Sequence, residues 1–253
     1  MKKYVGLLFL CCLFSVGNGK IKNKSRKHKK HGRSTAEKFG VPFHEGMKNS
    51  FWYYPELVEE DRWWQQAKNL YDTYVVNKVE HAEYARIPKI IHQIWIGSSL
   101  PEKYYLWQES WQTRHPDWEY KLWTDKDIEE FGLTNKYWYD QTTNYAQKAD
   151  IARYEILYRE GGLYVDTDFE CIHSFDIFHH TCDFYAGIMQ WKEGFRLCNA
   201  LIGSAPGHPI LEACIENINL DREYDSDPRL NITYTTGPWH LTNCFNQEAL
   251  YGA

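Results

Sequence analysis

The chain has no pair of cysteines at CxxC spacing, which is the usual mark of a zinc site. Seven cysteines occur in 253 residues, and Cys11 and Cys12 lie in an apolar segment near the N-terminus. The other five are far apart in sequence: Cys171, Cys182, Cys198, Cys214 and Cys244. This spacing argues against a zinc site, whereas one or two disulfides with one thiol left over would suit an exported chain.

The N-terminal segment has no acidic residue and no apolar run of membrane-spanning length. Residues 1–33 hold ten Lys or Arg and no Asp or Glu. Lys2 and Lys3 precede the apolar stretch 4–16, and small residues follow it. This pattern predicts a secretory signal peptide over residues 1–19, although the basic run after the apolar stretch opposes the usual charge bias. We therefore expect a secretory-pathway location (the Golgi or ER lumen in a eukaryote) or export rather than the cytoplasm.

The basic N-terminus conceals an acidic body. The whole chain carries a net charge of −5, and the part after residue 33 carries −15. An acidic body argues against nucleic acid as a partner. Residues 20–50 are predicted to be a basic, disordered tail and linker, with peripheral contact to an anionic membrane as the alternative to plain solvation. The sequence carries no indication of the oligomeric state.

The rest of the chain predicts a single α/β domain. Residues 51–86 are predicted to be a helical extension, because their apolar positions repeat every three or four residues. From residue 87 to residue 253, strand and helix patterns alternate. The predicted strands are 90–96, 118–123, 163–165, 184–189 and 197–202, and a helix is predicted at 209–218. This alternation predicts a Rossmann-like, mostly parallel sheet with flanking helices.

Residues 148–170, KADIARYEILYREGGLYVDTDFE, are the most informative segment. Their apolar positions recur at helical spacing as far as Gly161 and Gly162, which suit the backbone at a helix C-terminus. A short buried strand is then followed by Asp166 and Asp168. Ligands bind at the carboxyl edge of such sheets, and hard divalent cations take carboxylate and phosphate oxygens together. The segment therefore predicts a cation site that holds a diphosphate.

Several segments, in a fixed order, resemble glycosyltransferase family 32, a group of DXD-containing sugar transferases typified by the initiating α-1,6-mannosyltransferase and including capsular polysaccharide synthesis proteins. They are 87–97 (IPKIIHQIWIG), 115–125 (HPDWEYKLWTD), 148–168 (KADIARY…GGLYVDTD), 199–209 (NALIGSAPGHP) and the trailing Thr236-Gly237-Pro238. A lone DxD is a weak signal. A DxD preceded by Gly-Gly-aromatic-aliphatic and by a helix with Asp-x-x-Arg is much more specific.

The resemblance implies a GT-A fold and a metal-dependent hexosyltransferase that retains anomeric configuration. It implies a GDP- or UDP-hexose donor, Mn²⁺ or Mg²⁺, and a glycan or lipid acceptor. By position, Asp166 would face the ribose and sugar of the donor and share the metal. Asp168 would bind the metal that bridges the diphosphate.

The same resemblance assigns roles outside the DxD. Asp150 and Arg153 lie three residues apart on one helical face and match the residues that grip the transferred sugar. Trp95 matches the aromatic residue beside the nucleotide base, and Tyr164 matches a residue under the DxD loop. Asp150, Arg153 and the two DxD aspartates are thus the candidate catalytic residues, and Trp95 and Tyr164 are candidate donor-binding residues.

Plainer explanations remain open for each pattern. The DxD could be a strand-end turn, Asp150 and Arg153 a surface ion pair, and Trp95 a core residue. Three further residues of these segments are interpreted as structural: His92, Asn199 and His208.

Family members usually continue to a C-terminal His and a Ser-Trp signature, which this chain, ending at Ala253, lacks. The chain is then either a fragment or a protein whose donor site lacks a ligand. Two hypotheses therefore stand beside the transferase. One is a catalytically inactive protein that binds sugar nucleotides or glycans, and the other is a secreted toxin-like glycosyltransferase that modifies a host protein.

Overall fold

The computed structural model describes residues 5–8, 42–47, 55–73, 83–191 and 194–250. The predicted signal peptide lies outside these residues except for Val5–Leu8, which form a strand. The basic tail 20–50 lies outside them except for residues 42–47. Both remain predictions. Within the described ranges, no helix is long and apolar enough to cross a membrane.

The strands form one sheet in the order β1-β5-β6-β4-β2-β3. They are β1 (Val5–Leu8), β2 (Ile90–Ile94), β3 (Glu119–Trp123), β4 (Gly162–Val165), β5 (Phe184–Trp191) and β6 (Gly194–Ser204). Of these, β6 alone runs against the others, because it pairs antiparallel with both β4 and β5 whereas all other pairings are parallel. The prediction of an α/β fold with a mostly parallel sheet is confirmed.

Helices lie between most of the consecutive strands and after the last strand. They are α1 (Phe43–Met47), α2 (Pro55–Glu60), α3 (Arg62–Tyr71), α4 (Tyr105–Arg114), α5 (Asp125–Phe131), α6 (Lys136–Gln141), α7 (Tyr145–Glu160), α8 (Asp176–Thr181), α9 (Pro209–Glu216), α10 (Pro228–Thr235) and α11 (Pro238–Leu250). A short 3-10 helix, Glu102–Tyr104, leads into α4. Helices α2 and α3 fall within the predicted extension 51–86, and residues 51–54 and 74–82 of it lie outside the described ranges.

Strand β4 is buried on both faces. Tyr164 belongs to an apolar cluster with residues of α7, α9 and α11, whereas Leu163 and Val165 belong to a second cluster that includes Trp111 of α4. Alternate residues of a strand point to opposite faces, so the two clusters lie on opposite sides of the sheet. Burial on both faces explains why β4 reads as an unbroken apolar run.

Two glycines form the sharp turn from α7 into β4, as the sequence predicts. Gly161 and Gly162 have φ of 67° and 103°. A Cβ on Gly162 would lie 2.7 Å from the carbonyl oxygen of Ile90. The absence of a side chain therefore lets β4 approach β2, whose carboxyl end lies at the same edge of the sheet.

Candidate functional site

Helix α7 presents Asp150 and Arg153 to the interior of the molecule. The Asn144 side chain caps the helix by accepting from the amides of Ala146 and Gln147. Arg153 Nη2 lies 3.0 Å from Asp150 Oδ1, and the two side chains are only 5% and 9% exposed. The pair is therefore an ion pair, but a buried one, and the surface-pair explanation is wrong.

Two further side chains bind the Asp150 carboxylate. Asn199 Nδ2 donates to Oδ1 at 2.8 Å, and Thr236 Oγ1 donates to Oδ2 at 3.0 Å. Burial raises the pKa of Asp150 to about 6, even though Arg153 and these donors favour the ionised form. A carboxylate this deep is held by partners from three separate segments of the chain.

Arg153 connects Asp150 to the DxD. Its guanidinium lies over the ring of Tyr164, 4.3 Å from the ring centroid, and its Nη1 is 3.4 Å from Asp166 Oδ1. The Tyr164 hydroxyl donates to the same oxygen at 2.7 Å. Arg153 also donates to the main-chain oxygen of Asn199. Four predicted residues thus form one continuous polar network: Asp150, Arg153, Tyr164 and Asp166.

Asp166 and Asp168 lie just past the end of β4 and differ in exposure. The Asp166 side chain is 34% exposed, and Asp168 is more exposed than Asp166. Partial desolvation raises the pKa of Asp168, and the neighbouring Asp166 charge raises it further. The two carboxylates repel each other, and their oxygen atoms are accessible to solvent. Carboxylate oxygens are ligands that a hard divalent cation prefers, and a bound cation would remove the repulsion.

Side chains from β2 and β3 fix the backbone of the DxD. Gln93 Nε2 donates to the Asp166 carbonyl oxygen at 3.2 Å, and the Tyr120 hydroxyl donates to Gln93 Oε1. The Asp166 amide donates to the Ala200 carbonyl oxygen of β6 at 2.9 Å. Three strands therefore hold this turn, which is more than an ordinary strand-end turn requires.

Trp95 lies beyond the end of β2, at the same sheet edge as the DxD. Its indole Nε1 donates to Ser98 Oγ at 3.2 Å, and its ring centroid is 5.1 Å from that of Tyr104. It is half-buried and so is not a core residue. Among the described residues, no hydrogen bond joins Trp95 or Asp168 to the network of Asp150 and Arg153.

His92 and His208 have structural roles, as the sequence indicates. Trp123 Nε1 donates to His92 Nδ1, so His92 Nε2 carries the hydrogen and donates to the Gly161 carbonyl oxygen at 2.8 Å. Burial lowers the pKa of His92 to about 4 and keeps the ring neutral. His208 caps α9 by accepting from the amide of Ile210.

Sequence reasoning missed the supporting residues of the site. Asn199 and Thr236 bind Asp150 although they are distant from it in sequence, and Gln93 and Tyr120 hold the DxD backbone. Asn199 and Thr236 stand in the segments that carry the resemblance, which was the available signal. Gln93 and Tyr120 also fall in such segments, but their side-chain partners become visible only when the three strands are side by side.

Comparisons with known proteins find glycosyltransferases. The family described as "Glycosyltransferase sugar-binding region containing DXD motif" matches residues 101–184. Inositol phosphoceramide mannosyltransferase 3 of Schizosaccharomyces pombe is 37% identical over 162 residues, which are 62% of this chain and 44% of that protein. Mannosyl phosphorylinositol ceramide synthase SUR1 of Saccharomyces cerevisiae is 30% identical over 64% of this chain and 42% of its own length. The chain thus spans less than half the length of these relatives.

A solved structure shares the fold. The PaToxG glycosyltransferase superposes with a TM-score of 0.54 and 21% identity, over 66% of this chain and 70% of that one. At this identity the likeness concerns the fold alone. The resemblance to glycosyltransferase family 32 is confirmed, and residues 101–184 match the DXD-containing sugar-binding region of the glycosyltransferases.

Proposed function

We propose that this chain is a metal-dependent, retaining glycosyltransferase that moves a hexose from a nucleotide sugar to a hydroxyl of a lipid or glycan. The observation that carries the proposal is the network in which Arg153 lies between Asp150 and Asp166, the first aspartate of the DxD whose second aspartate is the exposed Asp168. Such a network combines ligands for a cation with buried hydrogen-bonding groups for a sugar.

The DxD and the helix have separate tasks in this proposal. Asp168, together with Asp166, would hold Mn²⁺ or Mg²⁺ against the diphosphate. Asp150 and Arg153 would form the polar floor under the transferred hexose, with Tyr164 fixing the orientation of the arginine through ring stacking. Trp95 would flank the nucleotide base.

The chemistry follows from the charge that develops on the leaving group. A bound divalent ion would stabilise negative charge on the departing diphosphate. Because both DxD aspartates are engaged in binding, neither is needed as a nucleophile. The acceptor hydroxyl would attack the anomeric carbon from the face that the diphosphate leaves, and its proton would pass to a phosphate oxygen of the leaving group. This accounts for retention without a covalent enzyme intermediate.

The names of the relatives favour mannose as the hexose and an inositol phosphoceramide as the acceptor. The surface beside the proposed donor site supports a lipid-bearing acceptor. Tyr105 and Leu106, at the start of α4, are 52% and 69% exposed, and they follow Tyr104, which contacts Trp95. Exposed apolar side chains next to a polar site suit a lipid acceptor whose headgroup is presented at a membrane surface. A location in the secretory pathway, with the basic tail touching the membrane, belongs to the same proposal.

A second candidate is transfer to a host protein. A relative from Legionella pneumophila, "Subversion of eukaryotic traffic protein A", is 28% identical over 58% of this chain. This candidate predicts labelled protein bands rather than labelled lipid.

The experiment supplies the purified chain with labelled GDP-mannose, UDP-glucose, UDP-galactose or UDP-N-acetylglucosamine in Mn²⁺, with inositol phosphoceramide vesicles or a cell lysate as acceptor. We expect label from GDP-mannose in the lipid. Label confined to protein would favour the second candidate. Donor binding by calorimetry without turnover, in a full-length protein, would favour an inactive sugar-nucleotide-binding protein.

A further inference from the structure

Three potential metal ligands meet between α9 and α11, away from the DxD. Cys214 is on α9, and His240 and Cys244 are on α11. Residues four apart on a helix share one face, so His240 and Cys244 point together toward α9. The Sγ and imidazole nitrogen atoms of the three residues lie within 4.8 Å of one another.

The cluster is sealed from solvent. Cys214, Cys244 and His240 are 0%, 2% and 5% exposed. Cys244 Sγ is 4.0 Å from His240 Nε2, and that nitrogen is 2.8 Å from the Cys214 carbonyl oxygen. Bond lengths to tetrahedral zinc set ligand atoms roughly 3.5 to 3.8 Å apart. The observed spacing therefore needs only a small contraction to match.

We propose that Cys214, His240 and Cys244 form a buried binding site for a zinc ion. Two thiolates and a neutral imidazole balance the charge of Zn²⁺, so the loaded site carries no net charge and its burial costs less than that of a bare ion. Thiolate and imidazole are also the ligands that zinc prefers. Three protein ligands would leave one of the four tetrahedral coordination positions for a further ligand.

Zinc binding would require only the release of protons and a change of the His240 tautomer. Each thiol loses one proton to water as its sulfur becomes a ligand. His240 Nε2, which now donates to the Cys214 carbonyl, must give up its hydrogen, and Nδ1 carries it instead. No electron is transferred. A Cys214–Cys244 disulfide, by contrast, would need an oxidant, and both cysteines are free thiols in the structure.

The site would pin the last described helix to the domain. Helix α11 begins two residues after Thr236, which binds Asp150, and the ring of His240 is 5.9 Å from that of Tyr154. Tyr154 in turn donates to the Thr236 carbonyl oxygen at 2.7 Å. Zinc between α9 and α11 would thus stabilise the support of Asp150. This inference does not rest on the proposed transferase activity.

The test measures zinc in the full chain by inductively coupled plasma mass spectrometry after purification without chelator. We expect about one zinc per chain in the wild type and in the two control variants, Cys198→Ser and Asp168→Asn. Cys214→Ser and Cys244→Ser should lose it. The proposal would be overturned if the wild type contained no zinc or if both cluster variants retained it. It would also be overturned by an intact mass two hydrogens lower, with Cys214 and Cys244 joined in a disulfide.

A second measurement covers variants that fail to fold. Wild-type chain is treated with an alkylating reagent in the presence of zinc or of a chelator, and peptide mass spectrometry follows each cysteine. Zinc should slow the modification of Cys214 and Cys244 at least tenfold and leave Cys198 unchanged. Equal rates for the cluster cysteines with zinc and with chelator would overturn the site.

Discussion

Arg153 of α7 and Asp166 of the DxD form an ion pair, with 3.4 Å between Nη1 and Oδ1. Because Arg153 also pairs with Asp150, one guanidinium contacts two carboxylates that come from different elements. The α7 helix and the end of β4 are thereby fixed to each other at the place where a donor and a cation would meet.

Removal of this guanidinium should cost both stability and activity. Arg153→Met leaves Asp150 buried without its cation, and breaking a buried pair on one side costs about 3–5 kcal/mol. Chemical denaturation should show that loss, and donor turnover should vanish. Arg153→Lys restores the charge but not the planar stacking on Tyr164, so it should recover part of the stability and little activity. The control is Arg229→Met, because Arg229 pairs with Asp227 at the surface and its loss should leave the free energy of unfolding unchanged. Equal stabilities of the Arg153 and Arg229 variants would refute the bridging role.

Asp150 should give the chain a specific pH dependence of stability. Its pKa is about 6 in the folded chain, above its ordinary value of 3.8, so the folded state binds the proton more tightly. The free energy of unfolding should therefore fall as pH rises between these values, by on the order of 3 kcal/mol for this group. Asp150→Asn removes the titration. The free energies of unfolding of the two proteins, measured by denaturation across this pH range, should diverge by that amount. A difference that stays constant with pH would contradict the raised pKa of Asp150.

Gln93 should tune the cation affinity without touching the ion. Gln93→Leu removes the donor to the Asp166 carbonyl oxygen and leaves the Tyr120 hydroxyl without its acceptor. Loss of such supporting groups typically weakens metal binding by about 10–100-fold. The Mn²⁺ concentration for half-maximal donor turnover should rise accordingly, whereas Tyr120→Phe, which removes only the outer bond, should raise it less. An unchanged Mn²⁺ dependence in Gln93→Leu would show that the turn after β4 keeps its conformation without these hydrogen bonds.

The turn between α7 and β4 should tolerate no side chain at Gly162. Gly162→Ala combines a positive φ with a Cβ that would lie 2.7 Å from the Ile90 carbonyl oxygen. The matched control is Gly132→Ala, which has φ of 69° but nothing within 4 Å of the added Cβ. Backbone strain alone should cost the control about 1–2 kcal/mol. The Gly162 variant should lose clearly more free energy of unfolding, as measured by thermal or chemical denaturation. Similar losses in the two variants would show that β2 can shift to accommodate the added Cβ.

Much of the fold follows from local patterns. Strand β4, the Gly-Gly turn and the helix before it are legible because hydrophobic period and glycine position depend on nearby residues. The direction of β6 is not legible, since a buried strand has the same pattern in a parallel or an antiparallel pairing. Its antiparallel course, which brings Asn199 beside Asp150, is decided by the short connection from β5 and by packing across the sheet.

The candidate site, like the fold, is only partly predictable from the sequence. Asp150, Arg153, Asp166 and Asp168 share one segment of sequence, so their proximity can be inferred before the structure is known. Thr236 is 86 residues from Asp150, and Cys214 is 26 residues from His240. Contacts over such separations arise only when helices pack, and a spacing rule such as CxxC cannot detect them. The cluster of Cys214, His240 and Cys244 is therefore visible in the structure and invisible in the sequence.

The most direct test of the account is Mn²⁺-dependent consumption of GDP-mannose by wild type and Asp168→Asn. The control is Asp140→Asn, which removes an exposed carboxylate of α6. Because Asp168 is proposed to hold the ion that stabilises the leaving diphosphate, turnover should fall at least about 100-fold in Asp168→Asn and remain at the wild-type rate in the control. Wild-type turnover that needs no divalent ion, or equal rates in all three proteins, would contradict the proposed role of the DxD.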